Sequence, residues 1–189
     1  MNEVAVMLLI ASAATIAIVS GRSISSSKQI KYRYEVILRM KQILLETSFK
    51  RVLILKAENG GGVLHAGADL YASVIYEEMI DPFTSVMNKY HRVKIDHNYT
   101  EMLHDLVSRK SVTIITDQMP NSSLLRGLYE REGVAYSEVY YLTETSSVIY
   151  YISVATDEEG LRRILEPEND SSVRLYVSQI ADILKKSMR

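Results

Sequence analysis

No charged residue occurs from Val4 to Val19, and then the pattern changes. Gly21 and Arg22 open a polar stretch, and Lys28, Lys31 and Arg33 follow. A hydrocarbon layer about 30 Å thick takes about 20 helical residues. Residues 1–20 supply that length when both ends are used. Ser12, Thr15 and Ser20 lower the apolarity, but their hydroxyls can bond back into a helix. The leading flank carries Glu3 and the trailing flank carries the basic residues. Basic residues favour the cytoplasmic side. The expectation is a transmembrane helix over 1–20, a serine-rich linker over 21–29 and a domain over 30–189. That makes a single-pass membrane protein with its C-terminal domain in the cytoplasm. The same run also reads as a packing helix in a protein core. A third reading is a signal peptide cleaved near Ala11-Ser12-Ala13, although that would want positive charge ahead of the run.

Beyond the linker, Ile30, Tyr34, Ile37, Lys41 and Leu44 trace one side of a helix over 30–48, widened by Leu38, Met40 and Leu45. Arg51 to Ala57 reads as a strand, and its Val52-Leu53-Ile54-Leu55 run predicts cover on both faces. Glu58-Asn59-Gly60-Gly61-Gly62 is a turn. Leu70, Ala72, Val74 and Tyr76 alternate with Tyr71, Ser73, Ile75 and Glu77, which is strand spacing. Asp81-Pro82 reads as a helix start, with Asp81 as cap, and Phe83, Val86, Met87 and Tyr90 continue at helical spacing.

A short helix over 99–108 and a buried strand over 111–116 come next. Asn121 or Ser122 then caps a helix that runs to Glu132 and stops at Gly133. Residues 135–142 and 147–155 form a hairpin dominated by Val, Ile and Tyr. Residues 156–170 are acidic, with a short helix near 160–165. A final helix over 172–186 places Val173, Tyr176, Val177, Ile180, Ile183 and Leu184 on one side. This order predicts an α+β domain: a central antiparallel sheet flanked by helices, with the first and last helices free to pack together.

Composition narrows the function classes. Lys and Arg total 22 and Asp and Glu total 23, a net charge of −1, so no general basic field draws nucleic acid. Lys89, His91, Arg92 and Lys94 make a small basic patch that reads as a solvated edge. The chain has no Cys, which excludes disulfides and cysteine-ligated zinc. His97 and His104 lie seven positions apart with Glu101 between, which is no recognised metal spacing. Gly60-Gly61-Gly62 has no Gly-Lys-Ser or Gly-Lys-Thr after it. Ser122 and Ser123 lie outside any Gly-x-Ser-x-Gly frame and read as helix caps. Glu77-Glu78 and Glu158-Glu159 read as solvated faces. No catalytic residue, metal or cofactor is expected, and the chain is not expected to be an enzyme.

The aromatic content is 13 Tyr, 2 Phe and no Trp. Tyrosine suits half-buried positions because its hydroxyl can reach water or a partner. Tyr71, Tyr76, Tyr99, Tyr136, Tyr140, Tyr141, Tyr150 and Tyr151 gather on the expected sheet and its cover. In each Tyr-Tyr pair one ring should face one side of the sheet and its neighbour the other.

The element order resembles a GAF domain, the small-ligand and signalling module related to PAS. Met40 to Leu55 is similar to its opening helix and first strand. Lys110 to Pro120, with Ser111-Val112-Thr113-Ile114-Ile115-Thr116-Asp117, is similar to the strand that enters the pocket-side loop. Leu124 to Gly133 is similar to the short helix before the last hairpin, Tyr140 to Val154 to that hairpin, and Val173 to Lys186 to the closing helix. The resemblance covers about residues 30–188. It implies terminal helices together on one face of the sheet, often in a dimer, and a pocket on the other.

The Asn-Lys-Phe-Asp-Glu signature of cyclic-nucleotide-binding members is absent, and so is a cysteine for a bilin. The resemblance therefore supplies a pocket and no ligand identity. Tyr71, Tyr76, Tyr140 and Tyr150 are the candidate lining, and Asp117 the candidate polar contact. The expected function is a non-catalytic, membrane-anchored sensor or protein-interaction module. It would touch the lipid bilayer through 1–20, work with a protein partner or as a homodimer, and have room for a small ligand. No output domain is expected after the last helix, so a signal would pass to a partner or another copy. The alternative is a structural protein that assembles through its apolar N-terminal helix.

Overall fold

The computed structural model describes residues 26–59, 69–80, 83–165 and 172–188. The expected membrane span, the triple glycine and Asp81-Pro82 lie outside the described residues. No helix among the described residues is long and apolar enough to cross a membrane.

Helix α1 covers 26–46. The chain is thus already helical within the expected linker. Ser26, Ser27 and Lys28 hold no breaker, and Gln29 donates from Nε2 to the Ser187 carbonyl at 3.2 Å, which ties the first described turn to the far end of the chain. After α1 come β1 (Arg51–Glu58), β2 (Tyr71–Met79), β3 (Val93–Lys94), α2 (His97–Arg109) and β4 (Ser111–Ile115). A single 3-10 turn (Thr116–Gln118), α3 (Leu124–Arg131), β5 (Tyr136–Glu144), β6 (Val148–Thr156), α4 (Glu158–Ile164) and α5 (Val173–Ser187) follow.

The strands form one six-stranded sheet in the order β3-β2-β1-β6-β5-β4. Every pairing is antiparallel. Because β1 and β6 lie at the centre, both of their faces are covered, which is why residues 52–55 of β1 and most of β6 are apolar.

Each face has its own core. On one, Val36, Met40, Ile43 and Leu44 of α1 and Val173, Val177 and Ile180 of α5 pack on Val52, Ile54, Ile152 and Val154. Full burial of a side chain of this size contributes roughly 1.5–3 kcal/mol. Tyr176 donates to the Glu46 carboxylate at 2.7 Å, so α1 and α5 are joined at this end as well as at Gln29. On the other face, Leu53, Leu55, Val74, Val139 and Tyr151 meet Tyr99, Leu103 and Leu106 of α2 and Leu125 and Tyr129 of α3.

Four points differ from expectation here. Residues 83–90 are turns and irregular chain, not a helix. Phe83 and Val86 are buried as their spacing implied. The acceptors, however, come from a strand: Glu77 takes the amides of Val86 at 2.9 Å and Met87 at 3.2 Å and the Ser85 hydroxyl at 2.6 Å. The short strand β3 was not expected. α2 also starts earlier than expected, because Asp96 caps it by accepting from the Tyr99 amide at 2.8 Å. Ser123, not Asn121 or Ser122, caps α3.

Candidate functional site

Between the sheet and the α2–α3 layer lies a cavity of about 60 Å³. Its floor is Leu53 and Leu55 of β1, Ala72 and Val74 of β2, Val139 of β5 and Tyr151 of β6. Tyr99 and Met102 of α2 and Leu125, Leu128 and Tyr129 of α3 form its roof, and Tyr90 and Val93 one side. The wall is overwhelmingly apolar, and its few polar groups have specific positions.

Arg51 is the most unusual of them. It opens β1 on the same face as Leu53 and Leu55, so strand alternation carries a cation into the core layer. It is 2% exposed. Its Cζ stands 4.8 Å from the centre of the Phe83 ring. Its Nη1 is 3.9 Å from Glu132 Oε2, near enough for charge attraction and too far for a hydrogen bond. Nε and Nη1 have no hydrogen-bond partner among the described residues. Burial pushes the Arg51 guanidinium below its ordinary value, although nearby Tyr129, Glu132 and Glu77 oppose the shift.

Glu132 follows α3, where Gly133 with φ +67° turns the chain toward β5. Only a residue without Cβ adopts that angle freely. The Glu132 carboxylate is equally hidden, and it accepts from the Tyr90 hydroxyl at 2.8 Å and from Lys89 Nζ at 3.5 Å. Burial, together with the bond to Glu132, pushes the Tyr90 phenol up to about 12. Across the cavity the Tyr99 and Tyr151 hydroxyls share one 2.7 Å bond. Both phenols are pushed well upward, first by burial.

The expected lining residues lie elsewhere. Tyr76 and Tyr150 pack against the helix-side core, and Tyr140 is buried in it. Arg33 covers the Tyr76 ring at 5.6 Å. The Tyr140 hydroxyl donates to Glu138, and its ring borders an open surface groove with Arg174 and Val177. Tyr71 is half-buried under Arg92, whose Cζ is 5.0 Å from the ring centre. Asp117 is exposed in the 3-10 turn. None of the five lines the cavity.

The Tyr-Tyr alternation itself is sound, since Tyr141 and Tyr151 face the cavity-side core while Tyr140 and Tyr150 face the helices. Alternation alone gives no sign for the face. Tyr76 is displaced by a register shift: Ile54 pairs with Tyr76, yet Leu55 pairs with Val74. The extra residue turns Tyr76 away from the face of Ala72 and Val74. Arg51 and Glu132 were not anticipated. The usable signal was a cation at the start of an apolar strand, in phase with Leu53 and Leu55.

His97 and Glu101 meet at 3.2 Å on the exposed side of α2, and no group among the described residues could hold a metal ion.

No family model matches this chain, and no curated protein matches it. Solved structures do. It is similar to the GAF domain/HD domain protein from Geobacter sulfurreducens, with a TM-score of 0.54 at 9% identity over 83% of this chain and 94% of that one. A red/green cyanobacteriochrome in its red light-absorbing state gives 0.57 at 10%, covering 83% and 96%. The phycocyanobilin-bound GAF domain of a cyanobacterial phytochrome gives 0.50 at 14%, covering 88% and 94%. The chain has the fold of a GAF domain, as its element order implied.

Proposed function

We propose that this GAF-fold chain is a non-catalytic sensor, anchored to a membrane through residues 1–20, that binds a small ligand and passes the signal to a protein partner or another copy. One observation carries the sensing part: an apolar cavity holds a buried guanidinium, two of whose nitrogens have no hydrogen-bond partner among the described residues. Few buried polar groups are left unsatisfied without a role. The phytochrome GAF domain named above binds phycocyanobilin, but a bilin does not suit this chain. It has no Cys, and 60 Å³ is far below the roughly 300 Å³ at which pockets for drug-sized ligands begin. The anchoring part rests on the uncharged run from Val4 to Val19 and the basic residues after it.

A second reading has its own support. Ile30, Tyr34, Leu38 and Leu45 are exposed on α1, with Leu45 83% accessible, which favours assembly through this helix.

Dialysis of the full chain, in lipid nanodiscs, against a small-molecule cell extract tests sensing. Retention of one molecule, identified by mass spectrometry, is the expected outcome. Retention of none gives assembly the stronger case. Carbonate extraction tests the anchor: the full chain should stay in the membrane pellet and a chain starting at Ser25 should not. If both are extracted, the anchor is wrong.

A further inference from the structure

The cavity has an excess of hydrogen-bond donors. Arg51 contributes Nε–H and Nη1–H, neither with a hydrogen-bond partner among the described residues. The Tyr99 and Tyr151 hydroxyls have two protons and one bond between them, so one proton is spare. Most acceptors along the wall are already engaged. Glu132 Oε1 takes Tyr90 and Lys89 while its Oε2 stands 3.9 Å from Arg51 Nη1, Ser73 takes the Arg92 amide, and Ser153 is bonded to Ser137. A ligand that completes this site must bring acceptors and little else that is polar.

We infer that the cavity binds a short-chain monocarboxylate, with its carboxylate toward Arg51 and its alkyl tail among Leu53, Val74, Leu125 and Val139. This rests on the reading of the cavity as a sensing site. A carboxylate brings two oxygens with about four lone-pair sites, against two on a neutral carbonyl oxygen. Hydrogen bonds to an ionised acceptor are about twice as strong as neutral ones. Glu132 does not fill this role, since it lies beyond hydrogen-bond distance and also serves Lys89 and Tyr90. Size sets the upper limit. At about 10–15 Å³ per water-sized position, the cavity holds roughly four to six non-hydrogen atoms. That admits acetate, propionate and butyrate and excludes longer chains. Across the cavity stand the Tyr99 and Tyr151 hydroxyls and no cation, so a second negative charge on the ligand would be buried without a counter-charge.

The test is a titration of the full chain in nanodiscs with sodium acetate, propionate, butyrate and hexanoate, and with propionamide, at constant ionic strength. Binding is read by carbon NMR of labelled carboxylate and by thermal unfolding. Propionate or butyrate should saturate, propionamide should bind at least about tenfold more weakly, and hexanoate should not bind. The paired variant Arg51→Met with Glu132→Gln should lose propionate binding. The selectivity of the unaltered chain decides the matter should that variant not fold. Equal affinity for propionamide overturns the carboxylate assignment, and so does a cavity that takes up water only. If the dialysis experiment then retains another small molecule, the ligand class is wrong and the sensor stands. If neither experiment finds a ligand, both fall.

Discussion

A guanidinium buried as deeply as that of Arg51 is held in place by Glu132 and the Phe83 ring. Taking away one member of a buried pair leaves the other uncompensated, at a cost of about 3–5 kcal/mol. Glu132 keeps Tyr90 and Lys89, so Arg51→Met should cost about 3 kcal/mol or less. Adding Glu132→Gln should restore most of that loss, because the amide oxygen still accepts from Tyr90. Urea unfolding of both variants checks this, and a single variant as stable as the parent would mean that the pair is not coupled. Gly160 makes a second residue-level case. A Cβ there would stand 1.8 Å from Thr156 Oγ1 and 2.7 Å from the Ser48 carbonyl oxygen. Thr156 donates to that same carbonyl at 3.0 Å, so the added methyl has no free direction. Gly160→Ala should cost about 1–3 kcal/mol, as overpacking does; an unchanged midpoint of thermal unfolding would refute the close approach. In the sequence Gly160 is one glycine in an acidic stretch, and its role depends on Ser48, more than a hundred positions away. That contact is absent from local pattern, as is the meeting of Arg51 with Glu132.

Elements with regular spacing were legible and the irregular ones were not. The hairpin β5–β6, strand β1 and helix α5 follow their apolar patterns within a residue or two. Residues 83–90 share helical spacing with those helices and still form turns. The Glu77 carboxylate, on a neighbouring strand, supplies acceptors that a helix would have provided from its own backbone. Alternation likewise placed the strand tyrosines in correct opposite pairs and could not say which face held the cavity. The register shift between Ile54 and Leu55 then reversed Tyr76. Glu77→Ala should leave the Val86 and Met87 amides without acceptors, a loss of about 1–3 kcal/mol for a buried donor. Amide hydrogen exchange should quicken at both, while the β1 amides remain slow. Unaltered protection at Val86 would mean that packing of Phe83 and Val86 fixes the segment without the carboxylate.

At the scale of the whole molecule the sheet separates two cores, and phenols are hidden in both. Tyr99 and Tyr151 lie on the cavity side and Tyr136 and Tyr140 on the helix side. Burial pushes each upward, and Glu138 adds to the shift of Tyr136, to about 12, and of Tyr140. Tyr90 is likewise pushed to about 12. A free tyrosine has a pKa of about 10. The unfolded chain therefore releases these protons first as pH rises, and the native state binds more protons through this window. Stability is then full below about pH 10 and falls as pH climbs toward about 12. Lys50 works in the same direction, since its bonds to Asp157 and Glu159 hold it above its ordinary value. With no Trp in the chain, phenolate absorbance reports the tyrosines directly. In native protein the buried phenols should titrate in a second stage, above the range of a free tyrosine and together with loss of circular dichroism. Both cores share β1 and β6, so the second stage should be one cooperative step. A single smooth titration near pH 10 with the fold intact would show that these phenols are open to water, and the closed cavity would go with them.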